Sequence, residues 1–299
     1  MGKASRRKRT AGGTDAKARR PAPAPYAARP FHGLAGESDW VAAHEILPAA
    51  TAPLTLRADA LPDGLTAPGS LTFATVLPMA WPALHRDDGS VLLAGQSGSS
   101  SGDASRDLAG ALLAALAAEP GQPVTAVPRA TADTPRLQDL LDVDAPFEVT
   151  VHEGFDFWVD GQDLTGEAAD SLARANESVV PTVALAGATS AYWCRIGDRT
   201  YVRHVLGEDE DRATDALARL AAKGESGLGE DRPLLGAFRT GGLLVPVWEV
   251  PADVDPPECE APVAAFDERY AAALAVEDDL TADERRARAG LVSRQVTLR

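Results

Sequence analysis

Cysteine, aromatic side chains and long apolar runs are all scarce in this chain. Cys194 and Cys259 are the only cysteines, and they stand 65 residues apart. A zinc site built from cysteine alone needs four thiolates, and a redox pair needs C-x-x-C spacing. Both are therefore read as reduced thiols of a cytoplasmic protein, and neither a metal nor a cofactor is expected. No stretch approaches the ~20 apolar residues of a membrane-spanning helix; the nearest, Leu108 to Ala118, is short and rich in alanine. Lysine is missing from Lys17 to Lys223, and without G-K-[ST] the glycine-rich loop at 95–102 has no P-loop signature. His32, His44, His85, His152 and His204 stand singly. His44-Glu45 and His152-Glu153 are adjacent pairs whose side chains are expected to diverge on regular backbone. Asp139, Asp142 and Asp144 lack the glycine an EF-hand loop wants at its sixth position, so they read as solvated turn residues.

What is present is a segregated charge. Residues 1–30 carry nine Lys/Arg against a single acid, Asp15, for a net +8; residues 31–284 carry −28; the last fifteen residues hold five Arg and no acid. The first thirty residues contain no aliphatic side chain larger than alanine. They cannot bury enough surface to offset chain entropy and are expected to be disordered. They also lack the apolar stretch of a signal peptide. The remaining 31–299 form the folded part, with sub-halves 31–134 and 135–299 divided by a proline-punctuated segment.

Periodicity within that part predicts short strands in hairpins interleaved with helices, hence an antiparallel α+β fold. Trp40, Ala43, His44 and Leu47 mark a helix face ending at Pro48. Strands are expected at 54–56 and 71–77, and a hairpin at 81–94 turns on Asp87-Asp88-Gly89. A helix follows at 105–118, then a brief one near 137–141. Alternation at 147–151 and 155–159 predicts another hairpin around Gly154. A helix at 167–178, a strand at 182–186 and a hairpin at 192–206 come next. Helices from 209 to 223, capped by Gly224, and around Phe266, Tyr270 and Leu274 flank a hairpin turning on Gly241-Gly242. A last helix opens on the capping box Thr281-x-x-Glu284 and should stop at Gly290. The tracts 81–118 and 193–223 are both a tryptophan-bearing hairpin followed by an Ala/Leu helix, which suggests two similar ββα-containing halves.

Five tracts carry a resemblance: PFHGLAGESDWVA (30–42), ATVLPMAWPALHRDDGSVLLAG (74–95), PRLQDLLDVDAPFEVTVHEGFDFWV (135–159), LLGAFRTGGLLVPVWEVP (234–251) and LTADERRARAGLVSRQVTLR (280–299). Together they resemble an actinobacterial family classed as a domain of unknown function. Some members of that family look as if they carry an N-terminal SecA-type zinc motif, and labels such as preprotein translocase or topoisomerase attach to them. The N-terminus here holds no cysteine, so the resemblance brings neither the metal nor those functions.

Gly98-Ser99-Ser100-Ser101-Gly102 fits G-x-S-x-G between a strand and a helix, the setting of a hydrolase nucleophile at Ser100. A Gly/Ser-rich loop meets that pattern by composition alone. The order Ser-Asp-His can be completed only by His152 or His204, both on expected strands. The five tryptophans, Trp40, Trp81, Trp158, Trp193 and Trp248, read as core, with an aromatic binding surface as the other reading. The tail speaks most directly to function. Lys3, Arg6, Arg7, Lys8, Arg9, Lys17, Arg19 and Arg20 suit association with nucleic acid, the ribosome or another acidic partner through counterion release. The chain is thus expected to be a non-enzymatic binding or adaptor protein that also contacts a protein or small ligand through its body. The alternative is an enzyme, such as a serine hydrolase using Ser100.

Overall fold

A computed structural model of the chain describes residues 21–98, 100–159 and 164–293. The eight basic tail positions from Lys3 to Arg20 lie outside the described residues, as does Ser99. Residues 22–30, assigned above to the tail, run along the folded body. The Ala27 amide donates to Gly102 O at 2.9 Å, and the Ala132 amide to Ala22 O at 3.0 Å. Arg29 forks onto Glu37 with bonds of 2.9 and 2.6 Å. Backbone bonds and one bidentate ion pair hold this stretch where hydrophobic burial could not.

Helix α1 (Glu37–Glu45) leads into a six-stranded sheet of order β5-β3-β4-β2-β1-β6. Its strands are β1 (Ala50–Pro53), β2 (Leu71–Ala74), β3 (Ala83–His85), β4 (Val91–Ala94), β5 (Pro123–Val124) and β6 (Thr150–Val151). Helices α2 (Ala104–Ala117) and α3 (Leu137–Leu140) interrupt them, and α4 (Glu167–Glu177) follows. A second sheet, order β10-β11-β9-β8-β7, comprises β7 (Thr182–Ala184), β8 (Ala191–Ile196), β9 (Arg199–His204), β10 (Leu234–Thr240) and β11 (Leu243–Val250). Helix α5 (Glu210–Lys223) comes between β9 and β10; α6 (Pro257–Leu274) and α7 (Ala282–Ser293) close the described chain. Pairing is antiparallel apart from β2 with β4, so the α+β expectation holds.

Local chemistry explains most boundaries. Asp103 and Asp209 cap α2 and α5 by accepting from Ser105 N and Asp211 N. Gly224 ends α5 at φ +75°. Thr281 and Glu284 form the reciprocal capping box of α7.

Three expectations need correction. Residues 147–159 do not fold into a hairpin. β6 pairs with β1, through Ala50↔Val151 and Thr51↔Thr150, while 156–158 form a 3₁₀ turn in which Phe155 stacks on Trp158 at 4.5 Å. The alternation there records aromatic packing. β1 lies at 50–53, earlier than the expected 54–56, because small, fully buried Ala50 and Ala52 fit beside β2. α7 continues through Gly290 to Ser293: Leu291 packs half-buried against the cluster that holds Ala237 and Leu244, and that packing outweighs the glycine.

Both ββα tracts form an antiparallel hairpin followed by a 14-residue helix. Their surroundings differ, since β4 is flanked in parallel by β2 and β9 in antiparallel by β11.

The two sheets share one core through α1. Trp40, Val41, Ala42 and Ala43 are all buried, so the middle turn of α1 is covered on every side, while its last turn opens outward at Glu45. Trp40 stacks on Phe147 at 3.8 Å and meets Phe73 edge-on toward the first sheet. Val41 lies against Gly241 in the β10–β11 turn. Asp39 accepts from Ser190 Oγ beside β8. Tyr192, Leu243 and Val245 complete this shared core, while Trp193, Leu244 and Trp248 on the opposite face pack with α5 and α6.

Candidate functional site

The last turn of α1 and the first turn of α2 border a cleft of about 430 Å³, whose lining includes His44, Glu45, Gln96, Ser100, Asp107 and Leu108. The β4–α2 loop forms its floor. Gly95 is forced there by Phe73, whose Cζ would stand 2.2 Å from an added Cβ.

His44 Nδ1 lies 2.8 Å from Glu45 Oε1. A carboxylate only accepts, so Nδ1 carries the proton and Nε2 is left for another partner. The bond to His44 and a weaker one to Thr240 hold the Glu45 carboxyl below its usual range despite partial burial. Gln96 spends its amide on the α1 C-terminus, with Nε2 3.1 Å from Leu47 O and 3.5 Å from Ala43 O. Asp107 Oδ2 accepts from the Ser101 amide at 2.8 Å, whereas Oδ1 is buried without a hydrogen-bond partner.

Ser100 is exposed in this cleft, but its backbone is not that of a nucleophile elbow. β4 ends at Ala94, so five residues intervene where an elbow has a sharp strand-to-helix turn. The non-glycine residues at positive φ are Met79, Ala80 and Ser190 among those described. The histidines expected to complete a triad are elsewhere. His152 Nε2 sits 2.8 Å from Thr51 Oγ1, and His204 is buried against α6. The histidine brought to Ser100's cleft is His44, and it bonds to Glu45, contrary to the expected divergence. At a helix end a long Glu side chain can curl back to its neighbour, which regular periodicity does not foresee.

A second polar cluster lies under α6. His204 Nδ1 approaches Asp267 Oδ1 at 3.4 Å, and Tyr270 OH donates to Glu208 Oε2 at 2.9 Å. Burial pushes His204 down to about 4; burial first, and then Glu208, push Asp267 up to about 6. Both shifts run toward the neutral form, so the short separation is not a His⁺–Asp⁻ ion pair. His204 is already neutral when Asp267 ionises.

Other residues singled out in the sequence make contacts within the fold. Asp139 accepts from the Arg136 amide at the head of α3, and Asp142 from the Asp144 amide. Trp40, Trp193 and Trp248 are core. Trp81 and Trp158 are half-buried beside Leu77 and Leu92. Both cysteines are buried, and burial raises each thiol. Among the described residues, no three His, Cys, Asp or Glu side chains are grouped to hold a metal, and no helix is long and apolar enough to cross a membrane.

No curated protein matches the chain. No solved structure matches it either. Residues 30–299, which hold both sheets and every helix described above, match a family of unknown function, DUF5926, and the chain belongs to that family.

Proposed function

We propose that this is a non-enzymatic binding protein acting in the cytoplasm, its basic N-terminal tail attracting nucleic acid while its folded body engages a second ligand or protein. The observation that carries this reading is the charge layout, +8 over residues 1–30 against −28 over 31–284. An acidic body repels a polyanion, so attraction must come from the basic ends, of which the tail carries the larger charge, and it must weaken steeply with salt as counterions are retained. The test uses the full chain beside a variant with Lys3, Arg6, Arg7, Lys8, Arg9, Lys17, Arg19 and Arg20 all changed to Gln. Host lysates are sedimented through sucrose at two salt concentrations, with and without RNase. The native chain should run heavy at low salt and be released by RNase or high salt, while the Gln variant runs as free protein. Co-sedimentation of both forms regardless of RNase would place association on the body and sink the tail's role.

A second reading rests on the His44–Glu45 bond beside Ser100. Histidine oriented by a carboxylate through Nδ1 is the arrangement of an acyl-transfer triad. If it operates, short aryl esters are hydrolysed, and Ser100→Ala and His44→Ala each remove nearly all turnover. Turnover that survives both substitutions excludes the cleft as the catalytic centre.

A further inference from the structure

We infer that the outer edge of β10 is a docking surface for one more antiparallel strand, and that its occupant is residues 294–299 of the same chain. This is independent of the tail reading and of any role for Ser100. Residues 294–299 lie outside the described residues; the edge itself and the helix that leads to it are described.

The backbone groups of β10 set the site. β10 stands at the end of its sheet, with β11 on one side. The two-residue turn Gly241-Gly242 places Thr240 opposite Leu243, so Thr240 and Phe238 exchange backbone bonds with β11. Ala237 and Arg239 then turn their N–H and C=O groups outward. Pro246 stands opposite Ala237, a position where β10 asks no N–H of its partner. Among the described residues, no backbone group outside the sheet bonds to Ala237 or Arg239. Yet Ala237 is only 7 % exposed. A backbone N–H and C=O that are buried and unpaired are costly and rare, so this edge calls for a strand to complete it. An open edge is also a template for aggregation unless something covers it.

α7 delivers the occupant. Leu291 and Val292 line a crevice with Ala237, Arg239 and Leu244, and the helix closes at Ser293. The next six residues read Arg-Gln-Val-Thr-Leu-Arg. Val296 and Thr297 favour extended backbone. Val296 and Leu298 alternate with polar Gln295, Thr297 and Arg299, the pattern of a half-buried strand. At about 3.3 Å per residue these six reach about 20 Å, enough to run beside most of the seven-residue β10. Their direction follows from where they start. Beside Ala237 and Arg239, a parallel run finds only Thr240 left to pair, whereas an antiparallel run has the stretch back to Leu234. Leu235 and Phe238, partly buried against Cys194, Tyr201 and Val247, offer apolar surface along the way.

Residue-resolved hydrogen exchange of the Ala237 and Arg239 amides is the test. It compares the native chain, a chain ending at Ser293, and a full-length variant carrying Val296→Pro and Thr297→Pro. Adjacent residues of a strand face opposite ways, so one of the two prolines removes a donor to β10 wherever the register falls. Both amides should exchange at least tenfold faster in the shortened chain and in the proline variant, while the Phe238 amide, held by β11, keeps its rate. Val296→Ile with Thr297→Val should retain native protection. Equal exchange in the native and shortened chains overturns the inference. So does loss of protection on shortening alone, with the proline variant like the native chain, because that outcome reports fraying of α7 and not a lost strand. Protection in the native chain that grows with protein concentration places the strand on a second copy and overturns its assignment to the same chain.

Discussion

Asp267 carries a local cost. Its carboxyl titrates near 6 in the folded chain and near 3.9 when unfolded. A raised carboxyl contributes stability that is complete below the unfolded value and disappears as pH rises through the folded one. Asp267→Asn keeps the neutral form at every pH. The variant should therefore melt higher than the native chain at pH 7–8, with the advantage gone at pH 4. A uniform gain across that range would mean that charge is not the cause. His204 acts on the other limb. Held near 4 by burial, it contributes fully above about 6.5, its unfolded value, and loses that contribution as pH falls to 4. Individual side chains of this kind escaped the sequence. His44 stands next to Glu45 in the chain, yet only the end of α1 lets their side chains meet. The link from His204 to Asp267 joins a strand to a helix 63 residues later, and nothing local announces it.

Elements were easier to read than single contacts because turns and caps are written in short stretches. Gly89, Gly197 and the Gly241-Gly242 pair sit at positive φ in the tight turns of β3–β4, β8–β9 and β10–β11, where glycine is unstrained. Alternation failed where partners were distant: β6 pairs with a strand a hundred residues earlier, and its sequence resembles half of a local hairpin. Gly241 is constrained twice, by φ +55° and by Val41, whose Cγ2 would lie 2.7 Å from an added Cβ. Gly241→Ala should cost about 1–3 kcal/mol, from strain and overpacking together. In urea this appears as a lower midpoint with an unchanged slope. Adding Val41→Ala should recover the steric part, so the double variant loses less than the two single losses combined. Strict additivity would show that the β10–β11 turn does not press on α1.

The whole molecule behaves as one body if its core does. A division near residue 134 follows composition, but Trp40 and Phe73 share a cluster with Tyr192, Leu243 and Val245. Thermal unfolding should be a single transition with equal calorimetric and van't Hoff enthalpies. Two separated transitions would show that the sheets do not depend on each other. The covering of α1 also bears on synthesis. Val41 leaves the ribosome early, whereas the turn that closes over it is translated two hundred residues later. Until then the nascent chain holds a helix that is apolar toward a sheet not yet made. A chain truncated before residue 240 should therefore expose that face, and limited proteolysis should cut it faster than the full chain.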